Sequence, residues 1–154
     1  MIIDIRKPRV IHLTPEKNHL PAGSAEQAHS ILLPDFGLVF PNINQIKSKN
    51  WKDCVKRGND YELHQLQCAT PEASELALLI DRTKSPCFDP QVSPRISTDD
   101  WYWTATVDPS SSDFAYVVYF LSGYVSWNFQ SHGGFVLPVL RVARGQYSAF
   151  GIEG

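Results

Sequence analysis

Long apolar runs are the first thing this sequence lacks. No segment approaches the roughly 18 uninterrupted apolar residues a membrane-spanning helix requires, so no membrane span is expected. The opening MIIDIRKPRV is charged by its fourth residue and does not have the basic-then-apolar form of a secretory leader. Cysteine is scarce. Cys54, Cys68 and Cys87 are an odd number without CxxC spacing, which speaks against a disulfide framework. A reduced, cytoplasmic protein with free thiols is the expectation. A Cys68–Cys87 bridge is the alternative for a chain exported by a non-classical route or carried as part of a virion.

Catalytic signatures are missing too. There is no phosphate-binding glycine loop and no GxSxG elbow. His12, His19, His29, His64 and His132 are scattered, with no i, i+4 pair and no carboxylate at ligand spacing. No cofactor, no metal and no enzymatic activity are therefore expected. The net charge of −2 favours neither nucleic acid nor an anionic membrane as partner.

What is present is an ordinary globular composition, 43% hydrophobic and 19% charged, over 154 residues. That length suits a single domain over 1–154 with a core that needs no staples. Charge is unevenly spread. Residues 43–57 carry Lys47, Lys49, Lys52, Lys56 and Arg57 against Asp53, five minus one giving +4. Residues 58–100 hold eight acids and three bases, giving −5, and only five charged side chains follow from Trp101 onward.

In chain order, Ile2–Ile5 and Arg9–Leu13 are short extended candidates around Pro8, 14–34 reads as a loop, and Gly37–Phe40 as a short strand. Residues 44–57 are expected to be a helix with Ile46, Trp51, Cys54 and Val55 inward and Gly58 as its C-terminal cap. Its basic residues read as a solvated face rather than a nucleic-acid patch. A second helix is expected after Thr70, with Pro71 at its first position, Glu72 and Glu75 in its first turns, and Ala73, Leu76, Leu79 and Ile80 buried. Pro86, Pro90 and Pro94 make 82–100 a long connection.

The chain is organised around Trp101 to Gly145. FAYVVYF, YVSWNFQ and FVLPVLRV, separated by short glycine-containing turns, predict an antiparallel meander. YVSWNFQ alternates strictly, so Val125, Trp127 and Phe129 are expected to pack inward. Tyr124, Ser126, Asn128 and Gln130 are then expected to face water. FAYVVYF does not alternate and is expected to be covered on both sides. Ten of the 18 aromatics lie between Trp101 and Phe129, more than one core can bury. The candidate ligand-binding surface is accordingly Tyr124, Ser126, Asn128, Gln130 and His132, with Trp101 and Tyr102 at its rim. Asp108 and Asp113 in the adjoining 107–113 loop complete it, as oxygen donors for Ca²⁺ or as a solvated turn. Asp99-Asp100 reads as a paired-carboxylate site or as an exposed cap on the strand that follows.

A family resemblance covers about residues 35–145. Thr70-Pro71-x-x-x-Glu75-Leu76, Ile80-Asp81-Arg82, Phe88-Asp89-Pro90, Trp101-Tyr102-Trp103-Thr104-Ala105-Thr106, Ala115 to Phe120, Gly123-Tyr124-Val125-Ser126 and Val136 to Gly145 follow one another in this order. Together with Gly37-Leu38-Val39-Phe40 and Asn50-Trp51-Lys52-Asp53 they resemble the Lcl C-terminal-domain family. That family is related to the C-type-lectin-like fold of phage variable receptor-binding proteins and formylglycine-generating enzymes. The resemblance implies an α+β, C-type-lectin-like domain: two helices packed on a small twisted antiparallel sheet, with the terminal strands drawn together. Gln67-Cys68-Ala69 departs from the family's Trp-Arg-Leu ahead of the second helix, and either Leu137 and Leu140 stand where it has arginines or its closing motif matches Arg141 to Gly145. Lectin calcium motifs such as Glu-Pro-Asn are absent, so calcium-dependent sugar binding does not carry over. All three cysteines precede residue 88, which argues against formylglycine-generating chemistry.

The function expected is a non-catalytic recognition module that binds a protein or glycan through the sheet front and its loops. The alternative is an intracellular effector of a phage or mobile element that inhibits a host protein complex, with the +4 segment as its distinguishing feature.

Overall fold

The computed structural model describes residues 7–21 and 23–153. The expected strand Ile2–Ile5 lies outside the described residues. The fold is α+β, with two short helices and mostly antiparallel sheets among the described residues.

Among the described residues twelve strands make two five-stranded sheets and one hairpin. The first sheet comprises β1 (Ile11–Leu13), β2 (His19–Leu20), β3 (Ser30–Leu33), β4 (Leu38–Pro41) and β12 (Leu140–Arg141), in the order β12-β4-β3-β1-β2. The second comprises β5 (Ile46–Ser48), β8 (Tyr102–Val107), β9 (Phe114–Tyr119), β10 (Tyr124–Phe129) and β11 (Gly134–Val136), in the order β10-β9-β8-β11-β5. β6 (Glu62–Leu63) and β7 (Leu66–Gln67) form the hairpin. Strands from both ends of the chain, β1 and β12, share the first sheet.

Alternation along the strands sorts side chains into layers. Leu33, Leu38 and Phe40 of the first sheet meet Tyr102, Val118 and Phe135 of the second, with Leu76 and Leu79, in the central core. Leu13, Leu32, Val39 and Leu140 point the other way, under Phe150 and Ile152 near the C-terminus. Trp103, Ala115, Val117 and Val136 line the far side of the second sheet, beneath α1 (Trp51–Asp60) and its Cys54.

Several expectations change here. The 14–34 loop contains β2 and β3, and Ile31-Leu32-Leu33 is among the most buried stretches of the chain. The segment 44–57 is not one helix. Ile46–Ser48 pairs with β11, and Asn50 then starts α1 by accepting the Asp53 amide at 2.9 Å. Gly58 is inside α1 and does not cap it; its missing side chain lets Thr70 pack against the helix. On α1 two of the basic residues pair at i, i+4, Arg57 with Asp53 at 3.1 Å and Lys56 with Asp60.

The second helix is capped differently from the expectation. α2 spans Ala73–Leu76 and tightens into a 3-10 turn at Ala77–Leu79. Glu72 is its N-cap, in a reciprocal capping box with Glu75, while the Thr70 hydroxyl donates to the Val55 carbonyl at 2.9 Å. Glu75 also takes a two-pronged ion pair from Arg141 at 2.6 and 2.7 Å, which ties α2 to β12.

The meander holds for β8-β9-β10 and then ends. The segment after β10 does not pair with it. β11 crosses the sheet to lie parallel to β8 (Phe135 opposite Tyr102) and antiparallel to β5, and β12 leaves for the first sheet. Among the described residues β10 is therefore an edge strand. No helix among the described residues is long and apolar enough to cross a membrane.

Candidate binding face

The β9–β10 hairpin carries the site, and its turn explains its shape. Gly123 takes φ +74° and returns its amide to the Tyr119 carbonyl at 2.8 Å, a conformation glycine adopts without penalty. The Arg82 guanidinium donates to the Gly123 carbonyl at 2.9 Å. A β-carbon at Gly123 would lie 3.3 Å from Cys87 Sγ, so the turn is seated on the 82–100 connection. At the other end the Gln130 amide donates to the Asp113 carbonyl at 2.8 Å.

In an antiparallel ladder, paired residues share a face. Val118, Tyr116 and Phe114 stand opposite Val125, Trp127 and Phe129; Tyr119, Val117 and Ala115 stand opposite Tyr124, Ser126 and Asn128. The first sheet and α2 cover Val118, and α1 covers Ala115 and Val117. Neither layer reaches β10. The expected inward face is consequently exposed as well: Val125 is 42% exposed, Trp127 52% and Phe129 50%. Phe114 packs beneath them, its ring 4.5 Å from Trp127 and 4.7 Å from Phe129.

The residues expected to form the surface divide as follows. Tyr124, 68% exposed, and Ser126 face solvent on the opposite side of β10 from the aromatic stripe. Asn128, also on that side, is half-buried, and its side-chain oxygen accepts the Phe129 amide at 2.7 Å. Gln130 is committed to the framework. Its side chain donates to the Phe114 carbonyl at 3.2 Å, and its carbonyl accepts the Trp51 amide at 2.9 Å. Tyr102 is not at a rim: it is 1% exposed, its hydroxyl accepts the Ser97 amide at 2.8 Å, and burial raises its pKa.

His132 is exposed and joins two parts of the surface. It stacks on Trp101 at 6.3 Å and lies 5.9 Å from Phe129. Trp101 is half-buried, edge-on to Trp103, and a β-carbon at Gly134 would lie 2.8 Å from its Nε1. A shallow groove of about 700 Å³ runs past them, lined in part by Gln45, Lys47, Asp99 and Asp100. Asp100 Oδ1 accepts the Trp101 amide at 2.8 Å, so this carboxylate caps the start of β8.

The 107–113 loop is a hydrogen-bonded turn. Asp108 Oδ1 accepts the Ser110 amide at 2.9 Å and the Ser110 hydroxyl at 2.7 Å, which lowers the Asp108 pKa. Asp113 is exposed at the foot of β9. Among the described residues no three histidine, cysteine, aspartate or glutamate side chains stand close enough to hold a metal ion. Cys54, Cys68 and Cys87 are free thiols. Burial pushes the first two up to about 12, far from thiolate reactivity at neutral pH.

One pairing had no signal in the sequence. The Ser30 hydroxyl lies 2.7 Å from His64 Nε2, and His64 Nδ1 lies 3.2 Å from the Pro15 carbonyl. A proton on Nδ1 donated to that carbonyl leaves Nε2 to accept from Ser30. His64 and Gln65 turn the β6–β7 hairpin with φ of 51° and 65°. Ser30 is fully buried, and the pair ties β3 to the hairpin. The contact links residues 34 positions apart in a turn that sequence patterning does not place.

No protein-family model matches the chain, and no curated protein matches it by sequence.

Proposed function

We propose that the chain is a non-catalytic recognition module with the C-type-lectin-like fold its sequence resembles, and that it binds a protein ligand through Phe114, Val125, Trp127 and Phe129. One observation carries this reading: the large apolar side chains of β10 stand in water on a stripe that no layer among the described residues covers. Monomeric proteins seldom leave contiguous apolar surface of this kind without a partner for it. Rigid aromatics make such surfaces effective, since they bring large contact area and lose little side-chain freedom on binding. The membership of the Lcl-like family belongs to the same proposal, and the sharing of one sheet by β1 and β12 accords with it.

A protein suits this stripe better than a glycan. A sugar needs hydrogen-bond groups beside its stacking platform, and here Asn128 and Gln130 are spent within the fold while Tyr124 and Ser126 lie on the other face. The acidic loop with Asp108 and Asp113 borders the Phe129 end, so the ligand carries apolar side chains with basic ones toward that end. The test compares two double variants in partner capture and on a polysaccharide array. Trp127→Ala with Phe129→Ala abolishes binding, whereas Tyr124→Ala with Asn128→Ala preserves it. The opposite result, or capture of polysaccharide alone, would overturn the reading.

A further inference from the structure

The free edges of the two sheets are not guarded alike. β2 and β12 are two residues long, and β12 carries Arg141; β5 is three residues long and carries Lys47. Short length and charge are the usual devices that stop an edge from recruiting another strand. β10 has neither. It runs six residues as YVSWNF, without charge, proline or a break in its register with β9.

The phase of the ladder shows which backbone groups are free. Gln130 donates to Asp113, so the even-numbered residues of β10 bond to β9 and the odd-numbered ones point outward. The Phe129 amide agrees, since it is satisfied by the Asn128 side chain rather than by β9. Among the described residues Val125 and Trp127 accordingly present unpaired amides and carbonyls on the same open edge. We infer that a second copy of this chain occupies that edge, with β10 paired antiparallel to β10 about a twofold axis at Trp127. The two five-stranded sheets then join into one of ten.

Three features favour self-pairing over a foreign strand. Only registers that match odd with odd residues keep both the outward-bonding phase and the faces in agreement, and the one centred on Trp127 pairs all three outward-pointing residues, Val125, Trp127 and Phe129. It sets Trp127 opposite its own copy and Val125 opposite Phe129, with Ser126 facing Asn128 on the other side. It also brings the acidic Phe129 end, with Asp113, alongside the Tyr124 end of the second copy, where exposed Arg82 holds the turn. The aromatic stripe stays open, so the pairing is independent of what the stripe binds and places two stripes side by side. A few residue pairs bury less than the roughly 1,600 Å² of a standard stable interface, so the dimer is reversible and concentration-dependent.

Sedimentation equilibrium of the full chain over a wide concentration series tests this. The mass rises from 17.4 kDa toward twice that value. Val125→Pro, at an amide that does not serve β9, abolishes the rise, and its circular dichroism and melting show that it is folded. Register is tested in a Cys87→Ser background, where Ser126→Cys and Asn128→Cys chains cross-link under mild oxidation when mixed and not when each is alone. A mass of one chain at all concentrations, a dimer that survives Val125→Pro, or cross-linking of either cysteine variant with itself would overturn the inference. So would an edge that takes up only a foreign partner.

Discussion

Gly58→Ala tests how closely α1 is held against the segment leading to α2, because packing reverses the sign expected of the substitution. In an exposed helix interior, alanine for glycine stabilises by about 0.5–1 kcal/mol. Here the new methyl group would overlap Thr70 Oγ1 and come within 3.0 Å of the Thr70 α-carbon. Thr70 has little room to yield. Its hydroxyl donates to Val55 at 2.9 Å, and its amide donates to the Asn59 side chain at 2.8 Å. Overpacking of this kind costs about 1–3 kcal/mol, and losing the Thr70–Val55 hydrogen bond about 1 kcal/mol more. The helix gain offsets less than half of that, leaving a net loss of about 1–3 kcal/mol. In urea unfolding, with a slope of about 2 kcal/mol per molar, the midpoint falls by about 0.5–1.5 M. Thr70→Ala in the same chain removes the overlapping oxygen and recovers part of the loss in a double-mutant cycle. Neither residue belongs to the β10 stripe, so ligand binding is unchanged at a temperature where the variant is folded. A Gly58→Ala chain as stable as the parent, or more so, would refute the packing argument.

Other outcomes follow from the charge and thiol chemistry. Asp81 is held at about 2 by hydrogen bonds from Lys7 at 2.7 Å and then from Thr83. A carboxylate whose folded pKa lies below its unfolded value of about 3.9 adds stability that is full above that pH and lost as pH falls toward 2. Asp81→Asn is expected to flatten the dependence of the urea midpoint on pH in that window; an unchanged slope would rule the contact out as its source. Burial, and then the neighbouring His29 and Lys17, lower the His64 pKa. Its contribution is therefore present above about pH 6.5 and lost as pH falls through the folded value. His64→Asn, which keeps a residue tolerant of positive φ, is expected to reduce the loss of thermal midpoint between pH 7 and pH 5. In thiol titration of the native protein, Cys87 reacts first, while Cys54 and Cys68 react only on unfolding. Fast modification of Cys54 would mean that the core beneath α1 is open.

Local chemistry made several elements legible. Gly123 in its turn, and the acidic Glu72 and Glu75 at the start of the second helix, are short-range signals that the fold uses directly, whereas the cap at Asn50 falls inside the expected 44–57 helix. β3 was not legible because Ser30–Leu33 is only four residues long and lies in a polar, proline-marked stretch. Its burial comes from β1 and β4 on either side, contacts a local window cannot see. Thr70 was misassigned as a cap for a similar reason: its hydroxyl bonds α1, fifteen residues away in sequence, rather than the helix it precedes. His132 and most of the 107–113 loop lie at the surface as expected, whereas Trp101 is half-buried against Trp103 and Tyr102 is drawn into the central core by Phe120 and Phe135.

The exposure of Val125, Trp127 and Phe129 has a different origin. A period of two divides a strand into two faces but does not say which face the rest of the chain will cover. Two features of the sequence bear on that choice. On β9 the bulky Phe114 and Tyr116 alternate with the small Ala115 and Val117, and a helix packs closely over the small side; α1 lies there. The segment after β10 contains Pro138, which cannot donate to a ladder, so FVLPVLRV could not extend along β10 as a regular neighbour. It divides instead into β11 and β12, which serve different sheets, and β10 is left at the edge with Val125, Trp127 and Phe129 beyond the reach of either helix. Exposure of the stripe is thus a consequence of where the chain goes next. Replacing Pro138 alone would not bury it, because Leu137 and Val139 are already held in the central core.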